Sequence, residues 1–345
     1  MSPPSPASHA PAPPAAAQPC TAPPSQVTAG VVNALVAGAF WGLIFLIPLL
    51  LPDFNAWQLS AARYLVYGCV AVLLLAPRWP RLRGRLGRQE LLGLLGLSML
   101  GNIVYYVLLV WGVQWAGAAP TTLIIGLIPV LVTLFGTSRQ GAIGLRPLLA
   151  PLALCLLGTS LVAAQSLLQG SPATATLSTG QRALGLLAAS GALLSWSAYS
   201  IYNSHWLRRR PDISPWDWSL LTGLATGLLS LGLAVPAFLA PWLAPAAGSD
   251  AAHTPAQWLY FWLLTGTLAI LASVVGNNFW NRASRQLPLT MIGQMIVFET
   301  VFGLVYGFLY DWRLPSTLEW LAMTALIAGV LWCARVHQRQ HRGAA

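Results

Sequence analysis

Apolar residues in this chain come in long blocks. They neither alternate, as on a half-buried strand, nor form one stripe, as on a surface helix. Crossing about 30 Å of hydrocarbon takes roughly 20 residues of helix. Ten windows meet that length: 30–51, 56–76, 90–113, 118–138, 147–166, 184–206, 216–240, 258–281, 289–310 and 316–336. Gly or Pro interrupts several of them, and Pro147 and Pro151 crowd the start of the fifth. The connections "LPDFN" and "WAGA" are short, which favours antiparallel neighbours. The pattern predicts an all-α integral membrane protein with ten transmembrane helices.

Composition agrees. Of 345 residues, 56% are hydrophobic and 8% are charged, where an ordinary soluble domain carries about 25% charged residues. The net charge of +10 does not mark a nucleic-acid partner, because the basic residues, all of them Arg, sit in the gaps between apolar windows. Those gaps carry orientation. With the N-terminus inside, the cytoplasmic gaps and C-terminal tail hold Arg78, Arg81, Arg83, Arg85, Arg88, Arg139, Arg146, Arg208, Arg209, Arg210, Arg282, Arg285, Arg335, Arg339 and Arg342, fifteen in all. The outer gaps hold only Arg182 and Arg313. Arg63 falls inside a window. The split predicts an even number of spans with both termini inside.

The ends and the remaining chemistry add little. Residues 1–28 are Pro/Ala-rich and carry no charged side chain, which predicts a disordered tail. Residues 337–345 form a basic cytoplasmic tail. Cys20, Cys69, Cys155 and Cys333 show no paired spacing, and the five His are scattered. No metal site, disulfide or cofactor is expected.

The two halves echo each other. "GNIVYY" at 101–106 parallels "GNNFWN" at 276–281, and "IPVLVTLFG" at 128–136 parallels "ETVFGLVYG" at 299–307. Trp41 in "AFWGLIF" parallels Trp196 in "LSWSAYS". Five windows per copy is an odd number, so the second copy enters the membrane from the opposite side. The expected architecture is two inverted five-helix repeats, residues 29–166 and 184–336. Secondary transporters use this pattern, with substrate bound near the midplane.

The motifs "AGAFWGLIF", "LSAARYLVYG", "GAAPTTLIIGLIPVLV" and "SWSAYSIYN", in that order, resemble the EamA-domain branch of the drug/metabolite transporter superfamily. "MIGQMIVFETVFGLVYGFL", "MLGNIVYY" and "WGLIFLIPLLLP" are similar to a bacterial inner-membrane subgroup of it known as YtfF-like. The resemblance covers residues 30 to about 336. It implies movement of small molecules across the inner membrane, often export of amino acids or other metabolites. Many members read Glu-Pro where this chain has Glu299-Thr300, so a proline break in the ninth window is not expected.

Charge inside the windows is rare. Glu299 and Arg63 stand out, and each costs on the order of 3 kcal/mol near a helix centre. Glu299 shares a helix face with Gly303 and Gly307, which allows close helix contact. Its carboxylate either couples transport to protons or holds a structural partner. Arg63 has Ser60 and Tyr67 on its face. It could hold a substrate carboxylate, pair with Glu299, or snorkel to the outer interface. Asn102, Tyr105 and Tyr106 in the third window match Asn277, Trp280 and Asn281 in the eighth. Trp196, Tyr199 and Asn203 line one stripe of the sixth, and Gln294 precedes Glu299 in the ninth. Together they suggest an aromatic cavity with a few amides, suited to an amphipathic metabolite. Pro48 and Pro129 can kink the first and fourth helices.

The expected function is a secondary active transporter, working on a small molecule within membrane lipid and open to coupling by protons. A passive channel or membrane scaffold is the alternative. A membrane transferase fits worse, since Glu299 is the only well-centred carboxylate and no acidic pair stands beside a glycine-rich loop; with no Walker A sequence, ATP-driven pumping is not expected either. Nucleic acid is not an expected partner, and the oligomeric state is not legible.

Overall fold

The computed structural model describes residues 24–51, 53–116, 118–137, 144–169, 178–239, 253–310 and 312–343. Among these the regular structure is helical throughout, without a strand. The tail predicted at 1–28 lies outside the described residues up to position 23.

Prolines and caps set where the helices of the first half begin. Helix α1 (Pro24–Gly42) opens on proline, whose missing N–H falls where a helix has no internal partner. The first window then breaks. A 3₁₀ turn (Leu43–Phe45) leads to the short α2 (Ile47–Leu50), with Pro48 in its first turn. Helix α3 (Ala56–Leu75) is capped by Asn55, whose Oδ1 accepts from Gln58 N and whose own N donates to Gln58 Oε1, each at 3.0 Å. One-turn α4 (Trp79–Leu82) lies in the basic gap. The third window is α5 (Arg88–Ser98), a π-helical segment (Met99–Val104) and α6 (Tyr105–Ala116). The fourth is α7 (Ala118–Ile125) and α8 (Ile128–Thr137), broken just before Pro129. Pro147 sits in a 3₁₀ turn (Arg146–Leu148), and Pro151 in the first turn of α9 (Leu149–Gln169), where proline is tolerated.

The second half follows the same order. It comprises α10 (Thr179–Arg209) and α11 (Pro215–Ala234), then α12 (Pro255–Leu268), a π-helical segment (Ala269–Gly276) and α13 (Asn277–Gln286). It ends with α14 (Leu289–Met295), α15 (Val297–Tyr310) and α16 (Thr317–Gly343). Helices α10 and α16 outrun their windows. Ser178 and Gln181 cap α10 one turn early, and polar turns with Arg335, Arg339 and Arg342 extend α16, where basic residues suit a helix C-terminus. The ninth window breaks at Ile296 without a proline. Eight helices among the described residues are long and apolar enough to cross a membrane. Windows 30–51 and 118–138 are helical but interrupted.

The halves interleave. Helix α3 packs on α11, α9 on α16 and α8 on α14; α1 packs on α13 and α15, and α10 on α6, α7 and α8. Small residues let these helices meet closely. A Cβ added to Gly68 of α3 would lie 2.6 Å from the Cα of Gly227 in α11, and one added to Gly227 would lie 2.5 Å from Gly68. The α9–α16 contact is reciprocal too: a Cβ on Gly158 would meet Leu326 at 2.5 Å, and one on Gly329 would meet Cys155 Sγ at 2.7 Å.

Arginines close one end of the bundle. Arg210 pairs with Glu90 and with Asp212, the latter at 2.8 Å, and donates to the Arg85 carbonyl. Arg78 pairs with Asp217 at 2.9 Å, and Arg85 donates to the Asp212 carbonyl. Arg285 caps the carbonyls of Leu207, Arg210 and Ile213. The hydrogen bond from Arg210 holds the Asp212 carboxyl below its usual range, so this contribution is present at neutral pH and fades as pH falls through the carboxylate range.

Replacing Gly68 or Gly227 by Leu is expected to overpack the α3–α11 crossing and to destabilise by about 1–3 kcal/mol. Thermal melting of the detergent-purified protein reads this. Gly232→Ala, where an added Cβ meets nothing within 4 Å, should melt within about 0.5 kcal/mol of wild type.

Candidate functional site

Two intramembrane charges organise the interior. Arg63 on α3 is 9% exposed. Its Nε donates to Ser273 Oγ at 3.0 Å, and its guanidinium carbon lies 5.4 Å from the centre of the Tyr64 ring. Ser273 belongs to the π-helical segment between α12 and α13. Glu299 lies in the first turn of α15, directly after the break at Ile296, where a helix N-terminus favours negative charge. Residues 289–295 of α14 are buried, whereas residues 299–307 of α15 are all half-buried. Helix α6 is half-buried at most positions as well. Exposure is therefore greater around Glu299 than along α14.

Glycine explains how α15 reaches this place. A Cβ on Gly38 of α1 would lie 2.5 Å from Phe298 Cβ and 3.0 Å from Glu299 N. One on Gly42, a turn later, would lie 2.7 Å from Phe302 Cβ and 2.8 Å from Gly303 N. Gly303 thus serves the close helix contact expected of it. Gly307 does not, since a Cβ there would meet nothing within 4 Å.

Arg63 and Glu299 lie within Coulombic range of each other, yet no salt bridge joins them among the described residues. Tyr105 is within range of Glu299, and Tyr64, Tyr105 and Tyr106 are within range of Arg63. The Tyr64 and Tyr106 rings meet edge-on at 6.3 Å. Arg63, Tyr64, Tyr105, Tyr106 and Glu299 thus form one group.

Three tryptophans form a second. Trp41, Trp196 and Trp280 stand in a triangle, with ring centres 6.4, 5.1 and 5.7 Å apart. Tyr199 and Tyr105 flank Trp196 at 5.9 and 6.5 Å. Trp41 Nε1 donates to the Ala272 carbonyl at 3.0 Å. In the other half, Ser195 Oγ donates to the Leu100 carbonyl at 2.8 Å. Both acceptors lie in π-helical segments, whose wider turns disturb the regular ladder.

The amides divide differently from expectation. Asn203 Nδ2 donates to Asn281 Oδ1 at 2.9 Å, and Trp218 Nε1 donates to Asn203 Oδ1 at 3.0 Å. Asn277 donates to Tyr67 Oη at 3.2 Å, and that hydroxyl donates to the Ser219 carbonyl at 2.7 Å. Asn102 donates to Thr226 Oγ1 at 3.1 Å. These amides are bonded to protein and brace the helices. Gln294 is fully buried, and among the described residues neither of its amide atoms nor Trp280 Nε1 has a hydrogen-bond partner. Two apolar grooves, of about 270 Å³ beside α7 and α9 and about 370 Å³ along the α3–α11 crossing, contain none of the predicted site residues.

Comparison with known proteins agrees with this architecture. The EamA-like transporter family matches residues 28–164. The inner membrane protein YtfF of Escherichia coli (strain K12) is 34% identical over 313 residues, covering 89% of this chain and 95% of its own. The chain belongs to the EamA-like transporter family. A crystal structure of 17% identity superposes on 91% of this chain and 99% of its own with a TM-score of 0.66, which shows a shared fold. Membership makes this protein a membrane transporter of the drug/metabolite type and a multi-pass protein of the bacterial inner membrane.

Within this EamA-like chain, sequence reading missed Tyr64 and Ser273 beside Arg63, and saw Trp41 only as a repeat marker. Tyr64 could have been found, being next to Arg63. Ser273 is 210 positions away and carries no local signal.

The bracing role of the amides is testable by melting. Asn203→Ala strands both Asn281 and Trp218 and is expected to cost about 2–6 kcal/mol, at roughly 1–3 per buried orphan. Asn281→Ala leaves the Trp218 bond intact and should cost less.

Proposed function

We propose that this protein is a secondary active transporter that exports small organic metabolites, amino acids or related amphipathic compounds, by alternating access. Export is coupled to proton entry at Glu299. The proposed architecture is ten spans in two inverted five-helix repeats, with both termini in the cytoplasm. Several paired features support the repeat. The third span of each half carries a π-helical segment at the "GNIVYY" and "GNNFWN" motifs, and each segment takes a hydrogen bond from the first span of the other half. The α3–α11 and α9–α16 contacts are reciprocal between matching positions. With the arginines facing the cytoplasm, the closed end is the inner one and the half-buried stretches of α6 and α15 face outward.

The observation that carries the coupling role is the place of Glu299. It is an intramembrane carboxylate at a helix break, half-buried and, among the described residues, without a salt bridge. Intramembrane carboxylates in such positions mark proton relays and ion pathways. The remaining candidates surround it: Arg63 and Tyr105 within range of the carboxylate and Tyr106 within range of Arg63, Trp196, Tyr199 and Trp280 as an aromatic floor, and Gln294 with the helix-bracing Asn102, Asn203, Asn277 and Asn281 on the helices that move.

An untargeted metabolite comparison of medium and cytoplasm tests the reading, using cells that overexpress or lack the protein. The expected result is one compound class enriched in the medium on overexpression and retained in the cytoplasm on deletion. Glu299→Gln should reach the membrane at wild-type level and abolish the enrichment. In proteoliposomes its residual flux should not depend on an imposed pH gradient. Unchanged gradient-driven flux in that variant removes Glu299 from the coupling step.

A further inference from the structure

The geometry points to Arg63 as the receptor for a carboxylate on the transported molecule, with Ser273 holding its guanidinium in place. This rests on the transporter reading and deepens it by naming a chemical group of the substrate. Sequence left three roles open for Arg63, and two of them do not fit. The side chain is 9% exposed, so it does not snorkel to an interface. No salt bridge joins it to Glu299 or to any other carboxylate among the described residues.

What remains is a buried cation with one nitrogen in use. Nε is bonded to Ser273 Oγ at 3.0 Å. Among the described residues Nη1 and Nη2 have no partner, and neither is among the fully enclosed polar atoms that lack one, so water reaches them. Leaving a buried guanidinium without a counter-charge is unfavourable, and an anion that occupies the fork relieves it. Two free terminal nitrogens in one plane match the two oxygens of a carboxylate. A phosphate fits less well, because its second charge would be placed within range of Glu299. Tyr64 and Tyr106 wall the position with their rings. Ser273 acts as a positioning residue: its bond fixes the direction of the fork, and the wider π turn that carries it sets its place on the helix.

The test uses the full chain purified in detergent and a thermal-shift panel. The panel holds the proteinogenic amino acids and short mono- and dicarboxylates, each beside its carboxamide, with chloride and sulfate as inorganic anions. At least one acid should raise the Tm saturably, and its carboxamide, matched in shape but uncharged, should not. Arg63→Gln should lose the response. Arg63→Lys keeps the charge without the fork and should weaken it about tenfold or more. Ser273→Ala should weaken the same acid while leaving the ligand-free Tm near wild type, which separates positioning from folding and stands in should Arg63→Gln fail to fold. The assignment is overturned by an equal response to acid and carboxamide, by the same shift from chloride or sulfate, by an undiminished response in Arg63→Gln, or by no acid binding wild type. Its failure is distinct from that of the transporter reading. Export of a compound lacking a carboxylate removes Arg63 from recognition and leaves transport standing; Arg63-dependent acid binding without export does the reverse.

Discussion

A backbone amide or carbonyl in hydrocarbon has no water to bond, so each must find a partner inside the protein. This constraint decides where the chain can depart from a regular helix. Among the described residues its π-helical departures are Val235–Leu239 and two related segments, Met99–Val104 and Ala269–Gly276, and at the latter two a side chain from the opposite half supplies a donor. Trp41 serves one and Ser195 the other. Each bond repairs a local defect and at the same time fastens the first helix of one half to the third helix of the other. The Trp41 bond also sets the ring that meets Trp196 and Trp280. Ser273, which steers Arg63, sits in the same disturbed stretch as the Ala272 carbonyl. The irregular backbone is thus where the interior is assembled.

Much of this fold is legible in sequence because solvent leaves little choice. Each apolar window is helical over its described residues, eight of them as helices long enough to span and two, 30–51 and 118–138, with interruptions, and Pro48, Pro129 and Pro147 stand at helix starts or breaks. Helix ends were less legible. Hydropathy is blind to the Ser178 cap that starts α10 early and to the arginine-bearing turns that carry α16 to Gly343. The break at Ile296 was not expected, because the usual cue, a proline at 300, is absent. It lies where α1 presses Gly38 and Gly42 against the start of α15, and a tertiary contact of that kind leaves no mark in the local sequence.

The candidate site was legible in kind and only partly in arrangement. Charge inside a window is costly wherever it falls, so Glu299 and Arg63 could be picked out without a structure. Their separation could not, since it depends on Ser273 drawing Arg63 toward a segment 210 residues away. The amides show the opposite limit. Asn203, Asn277 and Asn281 are expected on the pathway because buried polarity is expensive, and in the structure their partners are one another, Tyr67 and Trp218. Cost alone does not distinguish a group reserved for a ligand from one that holds two helices together.

The crossing at Gly68 and Gly227 bears on motion as well as packing. Backbone meets backbone there, and one residue earlier Tyr67 Oη is bonded to the Ser219 carbonyl of α11 at 2.7 Å, so the two helices are fixed to each other close to the crossing. Gly68 stands about 18 Å from the start of α3, at 1.5 Å per residue. A turn of about 10° at the crossing would carry that end roughly 3 Å, the width of one water molecule. The glycine contact and that bond thus tie the position of Arg63, five residues away on α3, to any displacement of α11.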